Sequence, residues 1–162
     1  MKRIVVYPGS FDPPTYGHLD IIKRALTFFD KVIVAVLDNP GKCSLFTIDE
    51  RIKILEEITR RFKKVEVDKF KGLLVNYVKK KKAQAVVRGL RAISDFEYEF
   101  QMAQMNRELN PRVETVFMMT STTYSYLSSS IVKEIAKLGG DISKFVPPIV
   151  KDILKKKIAR KI

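Results

Sequence analysis

"IVVYPGSFDPPTYGHLDII", residues 4–22, decides the fold. It opens on Ile4-Val5-Val6-Tyr7, a short unbroken apolar run of the kind found in strands covered on both faces. It runs out into Leu19 and Ile22, continued by Leu26 and Phe29 at helical spacing. Between strand and helix stand three prolines, two glycines and His18, the only histidine in 162 residues. Gly9 and Ser10 make the turn, and Pro13-Pro14 stiffen it. Thr15 is placed to cap the helix, and Gly17, without a side chain, lets a ligand approach the backbone. His18 falls in the first helical turn, where unpaired N–H groups and the helix dipole favour an anion.

The same alternation repeats outward from this stretch. Apolar runs recur at Val32–Leu37, Val65–Val67, Ala85–Val87 and Val113–Met119. Thr47-Ile48-Asp49-Glu50 is a capping box for a helix to about Phe62, and Ser94-Asp95-Phe96-Glu97 a second, for a helix stopping near Asn110-Pro111. Leu73, Leu74, Tyr77 and Val78 mark another helix. One more follows Ser128-Ser129-Ser130 and ends at Gly139-Gly140, where glycine suits a left-handed cap. A short basic helix follows from about residue 147. Strands alternating with helices predict an α/β fold: a doubly wound, five-stranded parallel sheet in one domain, 1–162. Ligands of such sheets sit beyond the carboxyl ends of the strands, where strand order reverses.

Composition narrows the function. Apolar residues make up 46%, enough to fill a core. The longest apolar runs are about six residues, far short of the ~20 that span a bilayer. A soluble, cytoplasmic protein is expected, with no membrane partner. A lone Cys43 and a lone His18 exclude an internal disulfide and a Cys/His zinc site, which leaves Cys43 as an incidental or structural thiol. The +13 charge suits polyanions, but much of it sits in Lys79–Lys82 and in the tail from Lys151. No recognition helix or aromatic RNA-binding pattern points to a specific nucleic acid.

Chemistry is expected just after strands, in four loops. Neither G-x-G-x-x-G nor G-x-x-x-x-G-K-[ST] occurs, so the phosphate signal rests on the Gly9–His18 turn itself. Lys42 follows the second strand on a Pro-Gly turn and can reach a phosphate as a point charge. Arg88 and Arg91 flank Gly89-Leu90 behind the fourth strand, suited to bidentate phosphate contacts or to ion pairs with Asp95, Glu97 or Glu99. Residues 120–130, "TSTTYSYLSSS", open a helix with more hydroxyls than one cap requires.

Tyr7-Pro8-Gly9-Ser10-Phe11-Asp12-Pro13 with Thr15-Tyr16-Gly17-His18 resembles the [HT]-x-G-H signature of nucleotidyltransferases. Within them the chain resembles the bacterial phosphopantetheine adenylyltransferase family. The likeness continues through Phe46-Thr47 with Glu50-Arg51, Arg88–Arg91, Asp95–Glu99 and Ser128–Ser130 with Val132-Lys133. It implies a Rossmann-like nucleotidyltransferase fold and adenylyl transfer from ATP to 4′-phosphopantetheine, giving dephospho-coenzyme A and pyrophosphate. By this resemblance His18 is catalytic. ATP would be met by Ser10, Phe11, His18, Gly89, Leu90, Arg91 and Glu99. It would also be met by Tyr124, Ser125, Tyr126, Leu127, Ser128, Ser129 and Ser130. The acceptor would be met by Ser10, Lys42, Leu74 and Arg88. Two departures are Ser10, where relatives often carry threonine, and Tyr124, where they often carry tryptophan. Mg2+ held mainly through phosphates rather than protein side chains, a homohexamer and coenzyme A as feedback ligand are implied as well. No motif residue lies beyond Lys151, so that tail is expected to be dispensable for transfer. The nearest rival is a nucleotidyltransferase acting on nicotinate mononucleotide.

Overall fold

A computed structural model of the chain describes residues 2–38, 43–91 and 93–160. The strands are β1 (Ile4–Gly9), β2 (Lys31–Leu37), β3 (Val65–Phe70), β4 (Ala85–Leu90) and β5 (Glu114–Met119). Helices α1 (Tyr16–Phe28), α2 (Ile48–Thr59), α3 (Leu74–Lys80) and α4 (Ile93–Leu109) alternate with them. After β5 come a 3-10 turn (Thr122–Tyr124), α5 (Ser129–Lys137) and α6 (Pro148–Ala159).

All four strand pairings are parallel, in the order β3-β2-β1-β4-β5. Val5 is in register with Val32 on one side and Ala85 on the other. The chain therefore winds outward from β1 through β2 to β3, crosses back, and winds out again through β4 to β5. Strand order reverses at the β1/β4 crevice.

Side-chain alternation along β1 splits the core between the two sheet faces. Val5 and Tyr7 pack with Ile21, Ile22 and Ala25 of α1 and Leu55 of α2. Val6 packs on the opposite face with Tyr77 and Val78 of α3. β2 is an interior strand, between β3 and β1, and is buried through five consecutive residues, in keeping with its unbroken Val-Ile-Val-Ala-Val. β3 and β5 were expected to be buried on both faces in the same way, and are not. They are the sheet edges, and only one residue of each strand is fully buried, Phe70 in β3 and Met118 in β5. A short apolar run does not reveal whether its strand lies at an edge.

Most helix signals hold. Thr47 and Glu50 exchange side chain–backbone hydrogen bonds at 3.2 and 2.8 Å, closing the capping box of α2. That helix stops at Thr59, short of Phe62, as the chain tightens into a turn where Phe62 N donates to Thr59 O. Gly139 takes the left-handed conformation (φ 79) past the end of α5. α4 begins at Ile93, two residues before the Asp95 at which a Ser94 cap would start it, and so encloses Ser94 in its first turn.

The C-terminal helix is no loose appendage. Val150 and Leu154 are fully buried in a third cluster with Phe46 and Ile54 of the α2 region and Leu127 and Val132 of the α5 region. Lys157 reaches Glu50 at 2.6 and 2.8 Å, and Lys151 reaches Asp141 at 3.1 Å. The tail is part of the packed domain, so removing it would disturb the core as well as the surface charge. Its charge pattern conceals an apolar stripe.

Candidate active site

A cleft of about 460 Å3 opens at the carboxyl ends of β1 and β4, in the crevice where strand order reverses. One wall is the loop from Gly9 into α1, the other the ends of β4 and β5 with the start of α5.

The β1–α1 loop is shaped by its own residues before any ligand. A Cβ at Gly9 would sit 2.9 Å from the Phe11 ring, so glycine there makes room for that ring. Phe11 is buried with a positive φ of 49, which turns the chain sharply toward α1. Gly17 differs. A Cβ there would meet Thr15, Tyr124 and Leu127 at ordinary distances of 3.5–3.9 Å. Protein packing alone does not demand glycine at 17.

His18 is the N3 residue of α1, and it completes a capping box. Thr15 Oγ1 accepts the His18 backbone N–H at 3.4 Å, and the Thr15 backbone N–H donates to His18 Nδ1 at 3.0 Å. A nitrogen that accepts cannot carry the proton, so neutral His18 is the tautomer with its N–H at Nε2. The ring packs edge-on against Phe11 at 5.0 Å and lines the cleft. Burial, then the nearby Arg91 and Arg88 guanidinium groups, push its pKa down from 6.5 to about 4. At neutral pH it is therefore an uncharged donor.

Arg88 projects from the end of β4. Its Nε donates to Glu99 Oε2 at 2.7 Å, a second N–H meets Glu99 Oε1, and Nη1 donates to the Pro8 carbonyl at 2.7 Å. The ion pair foreseen as one alternative is formed, and it is with Glu99. Both partners line the cleft, so the pairing holds the guanidinium in place at its wall. Arg91 also lines the cleft and donates to the Leu127 carbonyl at 3.2 Å. Across from it, Ser128 caps α5 by accepting the Ile131 N–H at 3.2 Å, and Ser129 Oγ donates to the Pro13 carbonyl at 2.7 Å. Ser130 completes the row on the cleft wall. One serine is the cap, one ties two loops, and one has neither task.

Of the residues named from sequence, the cleft gathers Ser10, Phe11, His18, Arg88, Gly89, Arg91 and Glu99. It also gathers Tyr124, Leu127 and the three serines. Others lie elsewhere. Leu90 is buried, its carbonyl accepting the N–H and Oγ1–H of Thr120 at 3.0 Å. Ser125 turns back to the Thr122 carbonyl, and the exposed Tyr126 packs against Phe145. Leu74 packs on the α3 side of the core and does not line the cleft. Lys42 lies outside the described residues. The cleft also takes in Thr120, the first residue of the hydroxyl-rich loop, and adds Tyr7 and Tyr98, to which sequence gave no ligand role. Tyr98 had a signal, being the neighbour of Glu99. Tyr7 reads as ordinary strand core.

A crevice at the switch point, a neutral histidine at a helix start and two arginines on the cleft wall are groups suited to holding phosphates. The chain belongs to the cytidylyltransferase-like family, whose model matches residues 6–135. It is 61% identical to the phosphopantetheine adenylyltransferase of Caldanaerobacter subterraneus subsp. tengcongensis, over 98% of this chain and 99% of that protein. It is 62% identical to the one from Syntrophotalea carbinolica, over 96% and 94%. At such identity along nearly the whole chain, its place in the family is among the phosphopantetheine adenylyltransferases. Solved structures extend the fold further. One from Vibrio parahaemolyticus, assigned as a nicotinate-nucleotide adenylyltransferase, superposes with a TM-score of 0.74 at 19% identity, covering 95% of this chain and 99% of that one. A Plasmodium falciparum nicotinic acid mononucleotide adenylyltransferase superposes with 0.65 at 15%, over 99% and 96%. These distant likenesses concern the fold alone.

Proposed function

We propose that this enzyme transfers the adenylyl group of ATP to 4′-phosphopantetheine, giving dephospho-coenzyme A and pyrophosphate. The observation that carries the chemistry is the neutral His18, donating through Nε2, on the cleft wall at the switch point. The acceptor's identity comes from the relatives that share about three-fifths of the sequence.

The acceptor phosphate is already an oxyanion at neutral pH and needs no strong base. One of its oxygens attacks the α-phosphorus in line, a P–O–P bond forms, and the α–β bridging bond breaks to release pyrophosphate. Charge passes from the acceptor to the leaving group, and catalysis is positioning plus stabilisation of that charge. His18 supplies one N–H to the triphosphate, and the α5 start supplies hydroxyls and backbone N–H groups. Ser10, Lys42 and Arg88 hold the acceptor phosphate, Arg88 by exchanging its Glu99 partner for the dianion.

Mg2+ belongs to the same reading. The ion would be carried mainly on phosphates and water. When bound, it would screen the triphosphate charge. Coenzyme A as a feedback ligand, a cytoplasmic location and a homohexamer complete the proposal. α4 supports the last. It carries apolar side chains around its circumference, yet Tyr98, Phe100, Met105 and Leu109 are 47–62% exposed, and Met119 at the end of β5 is 68% exposed. Large apolar side chains gathered in the open on one helix and the adjoining strand end mark a surface that another copy can cover. No helix among the described residues is long and apolar enough to cross a membrane.

The test is pyrophosphate release from ATP with phosphopantetheine, with nicotinate mononucleotide and with no acceptor. Release with phosphopantetheine alone supports the proposal. Release only with nicotinate mononucleotide overturns it.

A further inference from the structure

Asp12 lies 5% exposed in the middle of the β1–α1 loop, yet it does not line the cleft. Its Oδ1 accepts the Phe46 N–H at 2.8 Å, and its Oδ2 accepts the Leu45 N–H at 2.9 Å and Lys133 Nζ at 2.7 Å. Burial works against the charge, but Lys133 and the two amides outweigh it and hold the carboxyl below its usual pKa. Lys133 sits one turn into α5, beyond Ser129, and it does not line the cleft either. One carboxylate thus joins the loop that carries Ser10 and leads to His18, the segment entering α2, and the helix whose start carries the three serines. Two further ties run alongside it, Arg51 Nη1 to the Ser10 carbonyl at 2.8 Å and Ser129 Oγ to the Pro13 carbonyl at 2.7 Å.

We infer that Asp12 and Lys133 are a positioning pair for adenylyl transfer, fixing the distance between the His18 wall and the serine wall of the cleft. A buried ion pair is a poor source of net stability, because desolvation offsets most of the attraction. It does fix geometry, since an ammonium and two amides meeting on one carboxylate allow a single loop arrangement. Misplacing reacting groups by about 1 Å costs on the order of 10²-fold in rate. The pair acts through Ser10, His18 and Ser129 and touches no substrate itself.

The inference rests on the adenylyl-transfer reading, and the experiment separates the two. Steady-state kinetics with ATP and phosphopantetheine are measured for wild type, Lys133→Met, Lys133→Arg and the neutral pair Asp12→Asn with Lys133→Gln. Lys133→Met and the neutral pair should lose roughly 10- to 100-fold in kcat. KM for each substrate should stay within about threefold, and Lys133→Arg should recover most of the rate. If Lys133→Met does not fold, because Asp12 is left charged and alone, the neutral pair carries the test. Unchanged kcat with only a lowered unfolding midpoint would make the pair structural and overturn the inference. So would a weakened ATP affinity at unchanged kcat, which would make Lys133 a ligand. Wild type without turnover would instead fault the reaction itself.

Discussion

The backbone N–H of Thr15 donates to Nδ1 of His18 at 3.0 Å, and this one bond decides what the histidine can do. With Nδ1 engaged as an acceptor, the proton lies on Nε2, and the side chain enters the reaction as a donor rather than as a base. His18→Ala should therefore fold normally and lose on the order of 10²–10³ in kcat, as when one oxyanion donor is removed. KM should change much less. Steady-state kinetics with both substrates decide it, and near-normal turnover would remove His18 from the mechanism.

The same environment gives a signature in stability. The folded pKa of His18 is about 4 and that of an unperturbed histidine 6.5. Above pH 6.5 the ring is neutral in both states, and the folded state keeps its full advantage. As pH falls toward 4 the unfolded chain takes up a proton that the folded site refuses, and stability declines. The lowered carboxylates of Asp12 and Glu50 act with the same sign, but only on entering the carboxylate range. Since His18 is the only histidine, urea unfolding between pH 6.5 and 5 should show a slope in wild type that His18→Ala abolishes.

Gly17 separates ligand demands from packing demands. A Cβ there meets only ordinary contacts in the folded protein, and alanine is the better helix former by ~0.5–1 kcal/mol. Gly17→Ala should leave the thermal midpoint equal or higher while weakening ATP in a calorimetric titration. A loss of stability would mean that the backbone itself requires glycine.

α6 should be indispensable. Leu154 is fully buried against Phe46 and Val132, so Leu154→Ala should cost about 2–5 kcal/mol of stability. Truncation before Lys151 should cost more, because the Lys157–Glu50 contact at the head of α2 goes with it. Denaturant unfolding measures both. A truncated chain with wild-type stability would show that α6 contributes nothing to the core.

What sequence made legible and what it hid divide along physical lines. Period, capping and turn chemistry are local, so Thr47–Glu50, Thr15 and Gly139 are legible in the sequence, whereas a serine cap for α5 is legible but not which of the three serines provides it, Ser128, so that α5 starts at Ser129. Edge position is not local: Val65–Val67 resembles Val32–Leu37, and only pairing shows that β3 has one neighbour. The same holds for charges. Glu99 and Lys133 each sit on a helix like any solvated residue, and only the fold brings them to Arg88 and Asp12. The start of α4, two residues ahead of the one a Ser94 cap implies, is a boundary that a local signal of the right form misplaces.

Arg88 tests the division of the cleft. Removing it takes a charged hydrogen-bond partner worth ~1.5–3 kcal/mol from the acceptor phosphate. Arg88→Ala should weaken phosphopantetheine by roughly 10- to 150-fold and leave ATP nearly unchanged. It also strands the Glu99 carboxylate, so adding Glu99→Gln should recover stability without recovering acceptor affinity. Lysine should rescue only partly, because a point charge cannot reproduce the planar fork. Loss of ATP affinity with acceptor affinity kept would reverse the assignment.

The most direct measurement follows the oxygen atoms. Phosphopantetheine labelled with 18O on its three non-bridging phosphate oxygens is incubated with unlabelled ATP and Mg2+, and both products are weighed by mass spectrometry. Attack of the acceptor phosphate on the α-phosphorus leaves every labelled oxygen in dephospho-coenzyme A, one of them in the new bridge, and none in pyrophosphate. Label in pyrophosphate, or turnover of ATP with no dephospho-coenzyme A formed, would contradict adenylyl transfer to this acceptor.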